Sequence, residues 1–424
     1  MTARLLLLAS CCLVQLGLSS GQEISLPSRT NTLERKVNQL AFDAYLKREE
    51  AGFMAEYAAA ARKDTHKLGT GDFDCPEEVK RSQRTPKTVH ELRPGDIKHI
   101  GIIGDSLSAA NGAGAYTLPG VALEYRGLAF SAGCEDDATV HASLPNILRI
   151  FNPALFGCSR GISTYRNFAK SRYNLAVPGS EAEDLYVQAK RLVSRMKRHM
   201  TRREFKYDWK FLNVHIGGND LCQACFPKNS FDWYHAKNWA KRVAVAILHI
   251  RENVPRLFVS VAGPPNVQMI REMNQESRYC RAVNTRLCDC VETVSVGALK
   301  GLAREYYKAI EEYKDHPLFT NSDEFTLVVQ PFVNHIEHVP RFADTGKIDY
   351  AYFAPDCFHF HRKGHDAAGK ALWNNLLQPV GSKARVTAMT EDRVHTLTCP
   401  DPSCPFLRTA KNSADCEPYM KSNP

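Results

Sequence analysis

Five short apolar runs punctuate the chain, at residues 100–104, 173–177, 211–216, 257–262 and 325–330. Runs of this length without alternation fit strands that are covered on both faces. Between them, apolar positions recur at helical spacing over 181–200, 231–253 and 274–313, and a last helix follows at about 361–377. Strands alternating with helices predict a parallel sheet with helices on both faces. In such sheets ligands bind beyond the carboxyl ends of the strands. Upstream, Leu33, Val37, Leu40, Ala41 and Tyr45 fall on one helical stripe, so a helical extension is expected over 33–62, then a loop-like stretch to 94. After 387 the periodicity fades, and Cys399, Cys404 and Cys416 mark a disulfide-tied tail. The expected division is 1–21 leader, 22–95 extension, 96–386 core domain and 387–424 tail.

The leader changes the picture of where the protein works. Arg4 precedes an apolar run over 5–16, and small residues follow at 18–21. That is the pattern of a cleaved secretory signal, and it is shorter than the roughly 20 apolar residues of a membrane span. No later run is long enough to span, and residues 417–424 lack the hydrophobic end of a lipid-anchor signal. A secreted or luminal protein is expected. Of the 14 cysteines, Cys11 and Cys12 leave with the leader. The even remainder is expected to pair as disulfides, with a connectivity that spacing does not fix. Cys222 and Cys225 with Cys288 and Cys290 could alternatively hold zinc, but no second pair stands at zinc-ribbon spacing, so no metal is expected. There is no Asn-x-Ser/Thr sequon.

With 55 basic against 46 acidic residues the net charge is +9. Much of it comes from the basic segment 190–206. It reads as the solvated face of a surface helix, or as a patch attracting anionic lipid headgroups. Nothing resembles a nucleic-acid-binding module.

Candidate chemistry sits at the ends of the apolar runs. Gly104-Asp105-Ser106-Leu107 lets Ser106 start a helix directly after a strand. Asp105, its immediate neighbour, reads as a turn or capping residue rather than a partner acid. Gly179, after the second run, can present a backbone N–H to an oxyanion without a side chain in the way. Asn219, after Gly217 and Gly218, can aim its amide at the same place. Near the other end stand Asp356 and His359. Their spacing of three lets the carboxylate hold the imidazole in one tautomer while the other ring nitrogen faces Ser106. A rival reading makes His359, His361 and His365 a metal site, but too few carboxylates accompany them. His361 and His365 read as surface or helix-cap residues.

These four segments, in this order, resemble the blocks of the SGNH/GDSL hydrolase superfamily, and more closely the animal phospholipase B family. The resemblance is carried by VHELRPGDIK at 89–98, LPNILRIFNP at 144–153, IGGNDLC at 216–222, VQPF at 329–332, DCFH at 356–359 and ALWNNLLQPVG at 371–381. It covers about residues 85–405. It implies a three-layer α/β/α, flavodoxin-like fold with a five-stranded parallel sheet. It also implies Ser106 as nucleophile, His359 as base, Asp356 as its orienter, and Ser106, Gly179 and Asn219 as oxyanion donors, without a cofactor. The implied substrates are fatty-acyl esters of phospholipids and lysophospholipids at a lipid aggregate or membrane surface. Membrane-anchored members carry tandem repeats and a membrane segment, whereas this chain shows one unit. Pro178, where relatives have a small residue, is a departure. Other readings are a carbohydrate or small-acyl deacetylase, or an inactive lipid-binding protein. The residues alone point to a serine carboxylester hydrolase, and they leave its oligomeric state open.

Overall fold

The sheet consists of four parallel strands, β1 (Ile97–Gly104), β2 (Trp209–His215), β3 (Leu257–Ala262) and β4 (Phe325–Gln330), side by side in that order. The chain is described by a computed structural model over residues 29–62, 68–225, 231–320, 322–331 and 334–423; the expected leader at 1–21 lies outside these. β2, β3 and β4 are buried along their whole length, as non-alternating apolar runs require.

The expected fifth strand at 173–177 needs correction. This segment runs parallel beside β1, but only Ile102 and Asn174 form a bridge. Leu175 and Val177 donate their N–H groups to the carbonyls of Ile102 and Gly104. On the outer edge a side chain takes the place of a further strand. The Arg126 guanidinium, fully buried, donates to the carbonyls of Asn174 (3.2 Å) and Ala176 (2.6 Å). Asn174 Oδ1 meanwhile accepts the Ala176 N–H at 3.1 Å. Glu124 neutralises Arg126 at 2.5 Å. An edge whose carbonyls are occupied in this way offers no template to another chain.

Short helices and turns follow each strand at its carboxyl end, and long helices return the chain. Those bearing on the site are α1 (Arg29–Arg62), α2 (Ser106–Ala109), α3 (Leu185–His199), α4 (Arg202–Tyr207), α5 (Gly218–Gln223), α6 (Ala236–Asn253), α7 (Arg278–Leu287), α8 (Val296–Glu311) and α9 (Arg362–Leu377). Strands laid down in one direction with crossovers of one hand put α3, α6 and α8 on one face, where they pack side by side. Gly101 of β1 faces this layer: a Cβ there would sit 3.0 Å from Met196 and 3.4 Å from Leu192 of α3. On the other face α9 packs with the helix Leu144–Phe151. Because α3 runs antiparallel to the strands, its basic end and α4 lie at the amino ends of the strands.

α1 lies against α7, with the Phe53 ring stacked on Tyr279 at 4.6 Å. Six disulfides pair Cys75 with Cys399, Cys134 with Cys158, Cys222 with Cys288, Cys225 with Cys290, Cys280 with Cys357, and Cys404 with Cys416. The four cysteines weighed as zinc ligands are thus joined to one another. Among the described residues no helix is long and apolar enough to cross a membrane.

Replacing Arg126 by Ala strands the carbonyls of Asn174 and Ala176 in the interior and leaves that of Ser163 and the half-buried Glu124 carboxylate without their cation. Denaturant unfolding should show a loss of about 3–5 kcal/mol. A midpoint equal to wild type would mean that the sheet edge is held by other contacts.

Candidate active site

β1 delivers the serine. At its end, Gly104 passes so close to β2 that a Cβ would lie 2.2 Å from the His215 carbonyl oxygen, so no other residue fits. Asp105 then caps α2, its carboxylate accepting the Leu107 N–H at 3.0 Å. This fixes Ser106 at the first position of a helix, where backbone N–H groups have no intrahelical acceptor. Asp105 is completely buried near His215, and burial pushes its pKa up.

The loop before α9 delivers the other two groups. Ser106 Oγ lies 2.8 Å from His359 Nε2, and His359 Nδ1 lies 2.5 Å from Asp356 Oδ2. The hydroxyl donates to Nε2 and the Nδ1–H to the carboxylate, the order that a nucleophile–base–acid relay requires. Asp356 Oδ1 also accepts the N–H groups of Phe358 (3.1 Å) and His359 (3.0 Å). Burial opposes charge on Asp356, but the imidazole and these hydrogen bonds outweigh it and hold its pKa below 3.8. Burial likewise opposes protonation of His359, and the carboxylate more than offsets this, raising its pKa above 6.5.

Neighbouring elements brace the loop. Cys357 has a left-handed φ of 55° and is tied to α7 through Cys280. Tyr279 of α7 donates its hydroxyl to the Pro355 carbonyl at 2.8 Å. The ring of Tyr57, from α1, meets His361 edge-on at 6.0 Å. None of these supports was legible in the sequence, because each side chain arrives from a remote segment.

The other two predicted donors lie beyond the neighbouring strand ends. Pro178 and Gly179 occupy the middle of a turn closed by Ser180 N–H to the Val177 carbonyl at 3.2 Å, with Gly179 at φ 77°. Proline followed by a positive-φ glycine is the composition of a type II turn, which gives the departure at Pro178 a physical reason. Asn219, at the start of α5, donates Nδ2–H to the Ser180 carbonyl at 2.9 Å. An amide carries two such hydrogens, so one remains. Ser106 and Asn219 line a mainly apolar cleft with Pro265, Met269, Ile270 and Phe358, and Gly179 is not part of its wall.

His361 precedes α9 at its N-cap position, though its side chain does not cap. His365 needs correction: it is completely buried in α9 and its Nδ1 accepts the Phe130 N–H at 3.3 Å. Among the described residues, the one His/Cys/Asp/Glu group close enough to share a cation is His99, Glu204 and Asp208, at the opposite end of the sheet. Sequence spacing gave no hint of it.

The family model for GDSL-like lipase/acylhydrolase matches residues 100–372. The chain is 37% identical over 400 residues to the mouse (Mus musculus) protein "Phospholipase B1, membrane-associated", covering 90% of this chain and 26% of that protein. It is 38% identical over 374 residues to the human (Homo sapiens) protein of the same name, covering 85% of this chain and 25% of that one. The rat (Rattus norvegicus) counterpart is 38% identical, with 86% and 25% covered. The chain therefore spans about a quarter of the length of these relatives.

A base must be neutral to take a proton, so kcat/KM for ester cleavage should fall as pH drops through the raised His359 pKa, with the acid limb centred above 6.5. Asp356→Asn removes the charge that raises it, so the limb should move to lower pH and kcat should fall about 10⁴-fold. An unmoved limb in that variant would assign the titration to another group.

Proposed function

The chain belongs to the GDSL-like lipase/acylhydrolase family, and from that premise we propose that it is a serine carboxylester hydrolase cleaving fatty-acyl esters of phospholipids and lysophospholipids. The proposal includes secretion behind a cleaved leader at 1–21. The observation that carries it is the unbroken hydrogen-bond chain Ser106–His359–Asp356, opening into an apolar cleft.

In the proposed cycle Ser106 Oγ attacks the ester carbonyl as its proton passes to His359 Nε2. Asp356 stabilises the imidazolium without itself taking the proton. The negative oxygen is met by the N–H of Ser106, the N–H of Gly179 and the second amide hydrogen of Asn219. Collapse breaks the carbon–oxygen bond, and the alcohol leaves with the proton from His359. Water then attacks the acyl-enzyme by the same route, releasing the fatty acid and restoring Ser106.

The apolar cleft wall suits the acyl part of an ester better than a sugar's hydroxyls. Met269, Ile270 and Phe358 offer apolar surface, and burying it contributes about 25 cal/mol per Å². The names of the similar proteins point the same way. The basic segment is less suited to presenting lipid. Lys197, Arg198, Arg202, Arg203 and Lys206 are exposed on α3 and α4, at the end of the sheet away from Ser106. A lipid surface held there faces the wrong end of the strands.

Ser106→Ala should abolish hydrolysis of lysophosphatidylcholine and labelling by a fluorophosphonate. Asn219→Ala should lower kcat about 10²–10³-fold. Residual turnover near wild type in Ser106→Ala would overturn the mechanism. Faster cleavage of acetylated sugars than of lysophosphatidylcholine would overturn the substrate class.

A further inference from the structure

Gln188 lies in the first half of α3, far in sequence from Ser106, Asp356 and His359, and it is almost completely buried. Its amide is spent on two places that the reaction needs held. Oε1 accepts the Gly104 N–H at 2.8 Å, and Nε2 donates to the Gly104 carbonyl at 2.9 Å. A primary amide thus reads both backbone polar groups of one residue, as a neighbouring strand would. Nε2 also donates to Ser180 Oγ at 3.0 Å. The Ser180 carbonyl accepts from Asn219 Nδ2, and Ser180 N–H closes the turn that carries Gly179.

We propose that Gln188 and Ser180 together form a positioning clamp that fixes the oxyanion donors relative to the nucleophile. The inference rests on the esterase reading above. Gly104 stands two residues before Ser106, and Gly179 is adjacent to Ser180, so one side chain sets the distance between both. The clamp acts where β1 lacks an ordinary ladder. The outer segment 173–177 pairs with β1 through a single bridge, and past Val177 the chain turns away. Without the amide, Gly104 stays tied to this turn by the Val177 N–H at its carbonyl, at 3.1 Å, and its own N–H has no partner on that side. Asp220 adds a second hold on the same loop, its two carboxylate oxygens each 3.2 Å from the Ala182 N–H.

A clamp of this kind is silent in substrate binding and felt in the transition state, where charge develops on the carbonyl oxygen. A misplacement of about 1 Å at a reacting centre can cost on the order of 10²-fold in rate. Neither residue touches the Asp356–His359 pair, so the titration of the base is untouched.

The test uses the full chain, with p-nitrophenyl butyrate as a soluble ester, and compares wild type, Gln188→Met, Ser180→Ala and the double variant. Methionine keeps the buried volume and removes all three hydrogen bonds. In Gln188→Met, kcat should fall about 10²-fold with KM and the acid limb of the pH profile unchanged. Ser180→Ala should lose a smaller part of kcat with an unchanged melting temperature. The double variant should be no slower than Gln188→Met alone, because both act through one contact. A folded Gln188→Met protein with wild-type kcat overturns the clamp, as does one whose KM rises while kcat holds, or fully additive losses in the double variant. If Gln188→Met does not fold, Ser180→Ala decides: wild-type kcat in that folded variant overturns the proposal. Wild-type protein that resists a fluorophosphonate would instead sink the esterase reading, so the two failures are separable.

Discussion

A hydrogen bond from a serine hydroxyl to an imidazole tolerates little drift, and here its two ends belong to residues 253 positions apart. Everything else in the molecule can be read as the means of keeping that distance. One end is held by a strand whose last residue cannot bear a side chain and by the capping carboxylate of Asp105. The other end hangs on a loop that would be free if left to its own backbone. It is instead cross-linked at Cys357, hydrogen-bonded at Pro355 and walled by an aromatic ring beside His361. The sheet core therefore carries the nucleophile, while α1 and α7 carry the acid–base pair.

The same division explains the electrostatics. Asp356 and His359 are buried, and burial alone would neutralise both. Each keeps its charge preference only because the other is within hydrogen-bond reach. Two backbone N–H groups add a fixed field on the acid side. The base is therefore stronger than a free histidine while its ring stays in one orientation. Asp105 is pushed the other way, because its burial outweighs the nearby imidazoles and the backbone N–H groups it accepts.

How far this was legible in the sequence depended on distance along the chain. β1 to β4 were readable because each is a short, mainly apolar run without strict alternation. The segment 173–177 carries the same signature, yet its ladder with β1 stops after one bridge, because the Gly104 N–H goes to the side-chain oxygen of Gln188 instead. No local pattern announces a side chain that substitutes for a strand. Asp356 and His359 were readable because a spacing of three closes within one turn. Gln188, Tyr279 and Phe53 were not, since each reaches the site across a packed interface. His365 misled for a related reason: it stands in a polar string, HRKGHD, that looks solvated. The structure buries that helix by pairing its charges internally, as Lys370 with Asp366 at 2.7 Å.

The orientation of α3 separates two regions of the molecule. Its first turns reach the reacting end of the sheet and its last turns, rich in arginine and lysine, end at the other. A strand of eight residues spans roughly 26 Å, about three screening lengths at physiological ionic strength. Across that gap the cationic end exerts almost no field on the imidazole. Substitutions there, or counterions gathered there, are insulated from the chemistry, so that pole is free to diverge in charge while the catalytic pole stays the same.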